Sequence, residues 1–151
     1  MTMGPDAGGV FETLVGLVRR GLGGSAGSGR QYVSWIHYED FIVAVRWLIK
    51  HDVAGIVNIA SPNPLPNAEF MRLLRDACGV PFGLPAANWM LEIGAAFMRT
   101  ETELILKSRR VVPARLLEHG FRFAFPNWKD AAPDLYRQLK MMRNIRRESA
   151  A

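Results

Sequence analysis

The sequence has a single cysteine, Cys78, among 151 residues. That excludes an internal disulfide framework and any cysteine-based zinc site. Cys78 falls at a core-facing spacing on an expected helix, which reads as a buried, inert thiol, and the usage fits a reducing, cytoplasmic compartment. Long apolar runs are missing too. Arg46 interrupts FIVAVRWLI and Glu92 interrupts LPAANWMLEIGAAFM, so no stretch reaches the ~18 residues of a membrane span. Residues 1–10 lack the basic head and apolar run of a secretory leader. His37, His51 and His119 stand in no His-x-x-x-His spacing, so no metal site is expected. Nor is there a strong excess of one charge: 19 Lys and Arg stand against 14 Asp and Glu. Much of the surplus lies in KMMRNIRRESAA, where Lys140, Arg143, Arg146 and Arg147 face Glu148 alone. Residues 140–151 are expected to be a solvated basic tail. Without interleaved aromatics they make no nucleic-acid module.

What is present suits one ordinary domain: 49% of residues are hydrophobic and 22% charged. Val10, Leu14, Leu17 and Val18 recur with a helical period over 10–20. A glycine cluster at 21–29 stops that helix. RQYVSWIH (30–37), short and rich in β-formers, predicts a strand. YEDFIVAVRWLIKHD predicts a helix with one apolar stripe, Phe41, Ile42, Val45, Leu48 and Ile49, and with Glu39 and Asp40 in its first turn. GIVNIA (55–60) reads as a buried strand and SPNPLPN as a loop. Asn67 is the expected N-cap of AEFMRLLRDAC, and Gly79 its end. A linker follows at 80–85, then helices over 86–98 and 101–107. The next expected helix is opened by Pro113 and closed by Gly120, and FRFAF then alternates. The last helix should run over 128–142, with Pro133 near its start. This order predicts an α/β fold with few strands and mostly helices. So small a sheet implies that its other strands lie elsewhere.

The glycine cluster invites comparison with a phosphate loop. GLGGSA fits G-x-G-x-x-G/A as a string. The mechanism needs a strand entering the loop and a helix leaving it, so that free N–H groups meet the pyrophosphate. Here a helix enters and a strand leaves. GSAGSGRQ also imitates G-x-x-x-x-G-K-[ST], but Arg30 and Gln31 stand where the lysine and the hydroxyl belong. The cluster is read as a close-packing connection. SWIHYED has two readings: a capped helix whose histidine is tied down by a neighbour, or a polar cluster facing a ligand cavity at a strand end. Alternation puts Ser34 and His37 on opposite strand faces, so they form no serine triad.

Three blocks, GSGRQYVSWIHYEDFIVAVRWLI, GIVNIASPNPLPNAEFMRLLRDACGVP and RRVVPARLLEHGFRFAFP, resemble in order the second half of the epimerase family proteins. These are NAD-dependent epimerase/dehydratase-like members of the extended short-chain dehydrogenase/reductase group, with a C-terminal domain of unknown function. MGPDAGG resembles the family's segment just after its sixth strand, and SWIHYED its His-x-x-Asp stretch. The resemblance covers residues 3–135.

It implies an incomplete doubly wound, Rossmann-like fold seen from its substrate-side lobe. Residues 1–62 would be a remnant of the dinucleotide-binding fold and 63–139 the family's C-terminal domain. In the family, NAD or NADP sits on an N-terminal half with a glycine-rich turn, and catalysis uses a Tyr-x-x-x-Lys pair. Tyr136 and Lys140 match that string only in the final helix, outside the family position, and are read as helix surface. No catalytic residue and no cofactor are therefore expected for this chain alone. What remains is the wall of a substrate cavity: His37 and Asn63 first, then Asn58, Ser61, Arg30, Gln31 and Trp35, at or near strand ends. The expected function is the substrate-side portion of an NAD(P)-dependent epimerase/dehydratase-like oxidoreductase, catalytically incomplete alone. The alternative is a non-enzymatic interaction module or half of a split enzyme. The expected partner is the missing nucleotide-binding half or another protein, with an unassigned small-molecule substrate, no nucleic acid and no membrane.

Overall fold

The computed structural model of the chain describes residues 1–84 and 108–149. The helices expected over 86–98 and 101–107 lie outside them. In chain order the elements are β1 (Thr2–Met3), α1 (Val10–Arg19), β2 (Tyr32–Val33), β3 (Ile36–His37), α2 (Tyr38–Lys50), β4 (Leu65–Pro66), α3 (Asn67–Cys78), α4 (Ala114–Glu118) and α5 (Trp128–Glu148). None of these helices is long and apolar enough to cross a membrane.

The strand predicted over 30–37 is two strands, because the chain changes partners midway. β2 pairs antiparallel with β4 (Tyr32 opposite Pro66), and β3 pairs parallel with β1 (Met3 opposite His37). Ser34 and Trp35 make the crossing. Residues 55–60, expected to be a buried strand, join no ladder. Ile56 is 87% exposed, and the nearest backbone tie is the Ser61 N–H on the Trp35 carbonyl at 2.7 Å. An apolar run becomes a buried strand only where neighbours cover it.

The stripe on α2 meets the same fate. Phe41, Ile42 and Ile49 are exposed, Ile49 by 80%. The helix instead buries Asp40 and Ala44, and Ala44 packs with Leu116 and Phe121 while Trp47, Leu48 and Phe123 flank them.

The main core lies between α1, α3 and α5. Phe11, Leu14, Val15 and Val18 from α1 meet Phe70, Met71 and Leu74 from α3 and Ala131, Leu135 and Leu139 from α5. Trp128 stands at the centre, stacked on Phe70 (4.2 Å between centroids) and edge-on to Trp35 (4.9 Å) and Phe11 (6.2 Å). α5 is longer than the pattern foretold. Its extra turns are tied back by Arg143, whose guanidinium donates twice to Glu12 on α1 (2.9 and 3.0 Å). The Gly8 N–H and then that guanidinium hold the Glu12 carboxyl below the usual range.

α3 begins one residue earlier than expected. Asn67 does not cap it; its Oδ1 accepts the Ala26 N–H at 2.7 Å in the buried interior. Gly79 closes α3 in the left-handed conformation (φ 70°), as the sequence foretold. Cys78, half-buried near that end, has its thiol pushed up to about 11 by burial, which leaves it un-ionised and unreactive at neutral pH.

Candidate functional site

Two polar regions flank the β2–β3 crossing. The first is an open pocket of about 180 Å³ lined by Met1, Tyr32, Ser34, Ile59, Ala60, Arg109 and Val111. Strand alternation builds it. Val33 and Trp35 turn into the core, which leaves Tyr32 and Ser34 on the opposite face. The segment 108–111 is fastened along that face. Tyr32 N–H donates to Ser108 Oγ (3.1 Å), and its carbonyl accepts the Arg109 N–H (3.2 Å). Ser34 Oγ donates to the Arg109 carbonyl (2.5 Å) and accepts the Val111 N–H (2.9 Å). The Arg110 guanidinium lies over the Tyr32 ring, 5.0 Å from its centroid.

The second region is the buried junction of β3, α2 and α5. His37, 0% exposed, precedes α2, and its Nδ1 accepts the Glu39 N–H at 3.2 Å as an N-cap. Its ring stacks on Phe125 (4.0 Å) and Tyr38 (5.0 Å). Nε2 lies 3.4 Å from Asp134 Oδ2 and makes no hydrogen bond. Asp134 in turn takes the Gln138 amide at 2.7 Å, and Gln138 reaches Glu39 and the Tyr38 hydroxyl. Burial, then the Glu39 carboxylate, raise the pKa of that hydroxyl. Asp40 closes the junction: its two oxygens accept the Ala124 and Phe125 N–H groups at 2.8 and 2.9 Å.

Burial drives the His37 pKa below 6.5. The carboxylates of Glu39, Asp134 and Asp40 pull the other way without overcoming it. The imidazole is therefore neutral when folded and takes up a proton more readily when unfolded. Stability from this group is complete above the unfolded value and falls as pH drops from about 6.5 through the folded pKa. Urea unfolding of the native chain between pH 7.5 and 5.5 should show that decline. His37→Asn, which keeps a capping oxygen but cannot titrate, should flatten it.

The residues named from sequence fall into separate places. Trp35, Ser61 and Asn63 clamp the start of α5. Trp35 Nε1 donates to the Asn63 carbonyl (3.3 Å), Ser61 Oγ to the Pro126 carbonyl (2.8 Å), and Asn63 Nδ2 to Asn127 Oδ1 (2.8 Å). Gln31 reaches back to the Ala26 carbonyl (2.7 Å). Arg30 and Asn58 are exposed. His37 belongs to the buried junction. Tyr32, Ser34 and Arg109, which line the open pocket, were not among them. The alternation of YVSW pointed to the first two, but Arg109 comes from a segment about 75 residues away and nothing local announces it. Tyr136 and Lys140 share a face of α5, with Lys140 Nζ 5.6 Å above the Tyr136 ring. Among the described residues no group of three or more His, Cys, Asp or Glu is placed to hold a metal.

In the glycine cluster several amides are engaged: Gly24 N–H on the Leu84 carbonyl (3.0 Å), Ala26 N–H on Asn67 and Gly29 N–H on the Ala26 carbonyl (2.9 Å). Leu84 N–H returns to Gly21 at 2.8 Å, and a Cβ on Gly83 would stand 2.6 Å from Gly23 backbone. These glycines exist for backbone-on-backbone packing.

A family described as a domain of unknown function (DUF1731) matches residues 86–135. The chain is 36% identical over 121 residues to the epimerase family protein SDR39U1 of Bos taurus, covering 79% of this chain and 40% of that one. It is 36% identical over 118 residues to an epimerase family protein of Mycobacterium bovis, covering 78% and 38%. Among solved structures, human SDR39U1 (isoform 2) with NADPH superposes with a TM-score of 0.77 at 29% identity, covering 89% of this chain and 45% of that one. A nucleoside-diphosphate sugar epimerase of Corynebacterium glutamicum shares the fold, with a TM-score of 0.59 at 24% identity, covering 91% of this chain and 26% of that one. The chain thus spans about 40% of the length of these curated relatives.

Proposed function

Because the chain is a C-terminal portion of an epimerase family protein, we propose that it is the substrate-side lobe of an NAD(P)-dependent epimerase/dehydratase-like oxidoreductase, catalytically incomplete without a nucleotide-binding half. The observation that carries this reading is the exposure of large apolar side chains on and just after α2. Phe41, Ile42, Val43 and Ile49 on α2 and the nearby run at Ile56 are exposed, beside a parallel strand pair only two residues long. Clustered exposed apolar side chains mark surfaces on which something docks. The nucleotide-binding half is the occupant proposed, since NADPH accompanies the human relative and the helix-then-strand order around the glycine cluster is the reverse of a phosphate cradle's. A cytoplasmic setting belongs to the same reading. In it the open pocket faces substrate. His37, Asn63, Asn58, Ser61, Arg30, Gln31 and Trp35 are not among its lining residues, so the substrate contacts proposed here are those of Tyr32, Ser34 and Arg109.

Sequencing the coding DNA upstream of Met1 tests this. An in-frame or adjacent stretch encoding a strand, a G-x-x-G-x-x-G turn, a helix and a later Tyr-x-x-x-Lys supports the reading; an unrelated region overturns it. Co-expression of the encoded half should bury the α2 face and protect the amides of 55–60 from exchange. A different protein on that face is the runner-up, and it would be the outcome if the chain bound a partner that carries no nucleotide fold.

A further inference from the structure

The open pocket has a charge character of its own. Among the described residues its lining holds one guanidinium, Arg109, and no carboxylate. Among the described residues the Arg109 side chain makes no ion pair or hydrogen bond, whereas Arg143 and Arg72 are each paired with a carboxylate. Ser34 Oγ is spent on the backbone of 109–111, and Arg110 is occupied with the Tyr32 ring. Arg109 is thus the polar group left over for a guest. Its backbone is held on β2 and Ser34 by the bonds along 108–111, so little ordering is left to be lost on binding. The remaining walls are the Tyr32 ring and the aliphatic Ile59, Ala60 and Val111. At about 180 Å³ the space is smaller than the ~300–1,000 Å³ that holds a whole small molecule.

We infer that this pocket is an anion subsite, in which the Arg109 guanidinium takes the oxyanion of a small ligand, phosphate or carboxylate, while Tyr32, Ile59 and Val111 hold the apolar or planar part attached to it. A guanidinium offers two parallel N–H groups to such an oxyanion, which a lysine cannot. The inference rests on the reading that this face is the substrate side, and it adds the chemical class of what enters.

The test uses the full chain in phosphate-free buffer at pH 7. Phenyl phosphate, benzoate and uncharged benzyl alcohol are titrated separately while backbone amide resonances are followed. Saturable shifts at Ser34, Arg109 and Val111 with at least one of the two anions, and none with the alcohol, are expected. The stronger anion tells phosphate from carboxylate. Arg109→Gln, an exposed position, should keep the spectrum of the folded chain and weaken that binding by about tenfold or more. Arg72→Gln on α3 should not weaken it. No shift at those amides with either anion, equal shifts with the alcohol, or equal affinity in Arg109→Gln would each overturn the subsite. This titration needs no second half. Silence here beside an upstream nucleotide fold sinks the subsite alone, and binding here without such a fold sinks only the assignment of the lobe.

Discussion

Trp128→Ala should cost the fold about 3–5 kcal/mol, out of the roughly 5–15 kcal/mol that holds a domain together. This side chain joins α5 to α1, to α3 and to the crossing between β2 and β3. Its indole stacks on Phe70 of α3, meets Phe11 of α1 edge-on and abuts Trp35 between β2 and β3, while Nε1 donates to the Phe70 carbonyl at 3.0 Å. Removing it opens a cavity where three helices meet, and close-packed aromatic walls collapse poorly into such a space. Trp128→Phe keeps a ring in place and loses the N–H bond and part of the volume, so it should cost about 1–2 kcal/mol. Urea unfolding followed by near-ultraviolet circular dichroism reads both. A loss below about 1 kcal/mol in the alanine variant would show that α5 is not anchored through this ring. The consequence reaches the pocket, because Trp35 is the inward neighbour of Ser34 and depends on Trp128 for its place.

The helices were the legible part of this chain. The stripe Leu14, Leu17 and Val18 is buried, and α1 stops where the glycines begin. Gly79 and Gly120 both take positive φ just past helix ends. These signals are local, carried by a period or by one residue's conformational freedom. What misled was equally local. The stripe on α2 and the run at 55–60 have the pattern of buried elements, yet their cover is not in the described part of this chain. A sequence records that a face is apolar, and it does not record what lies on it. Side-chain offices were the least legible. Asn67 has the chemistry of a cap but serves the Ala26 amide across 41 positions, and His37 does cap α2 while its other nitrogen lies buried 3.4 Å from Asp134 of α5 without a hydrogen bond. The glycine cluster shows the same division. Its element order, helix then strand, could be read from the sequence, but its packing partner, Gly83, is invisible until the backbones are brought together.

Asp40→Asn should destabilise the chain by about 2–3 kcal/mol, although it replaces one atom. The carboxylate is 2% exposed, and both oxygens are acceptors for adjacent backbone donors, Ala124 and Phe125. That pair of bonds does for the segment 121–125 what a neighbouring strand would otherwise do. The segment was expected to alternate as extended chain, but it joins no ladder. An asparagine can turn its carbonyl to one of the two N–H groups and must then present its own NH₂ to the other, which leaves a half-buried donor facing a donor. Asp40→Ala empties the site and should cost at least as much. Hydrogen exchange separates this pinning from a general loss of stability. In Asp40→Asn the amides of Ala124 and Phe125 should lose protection well beyond the global change, while those of α3 follow the global change alone. If all of them shift together, the carboxylate merely fills space. If the local loss is seen, it also reaches His37, because Phe125 lies against that imidazole at 4.0 Å. Releasing Phe125 lets water to the ring, which raises its pKa, against the loss of the Asp40 charge, which lowers it. The acid sensitivity of Asp40→Asn reads which of the two wins: weaker than native for water entry, stronger for the lost charge.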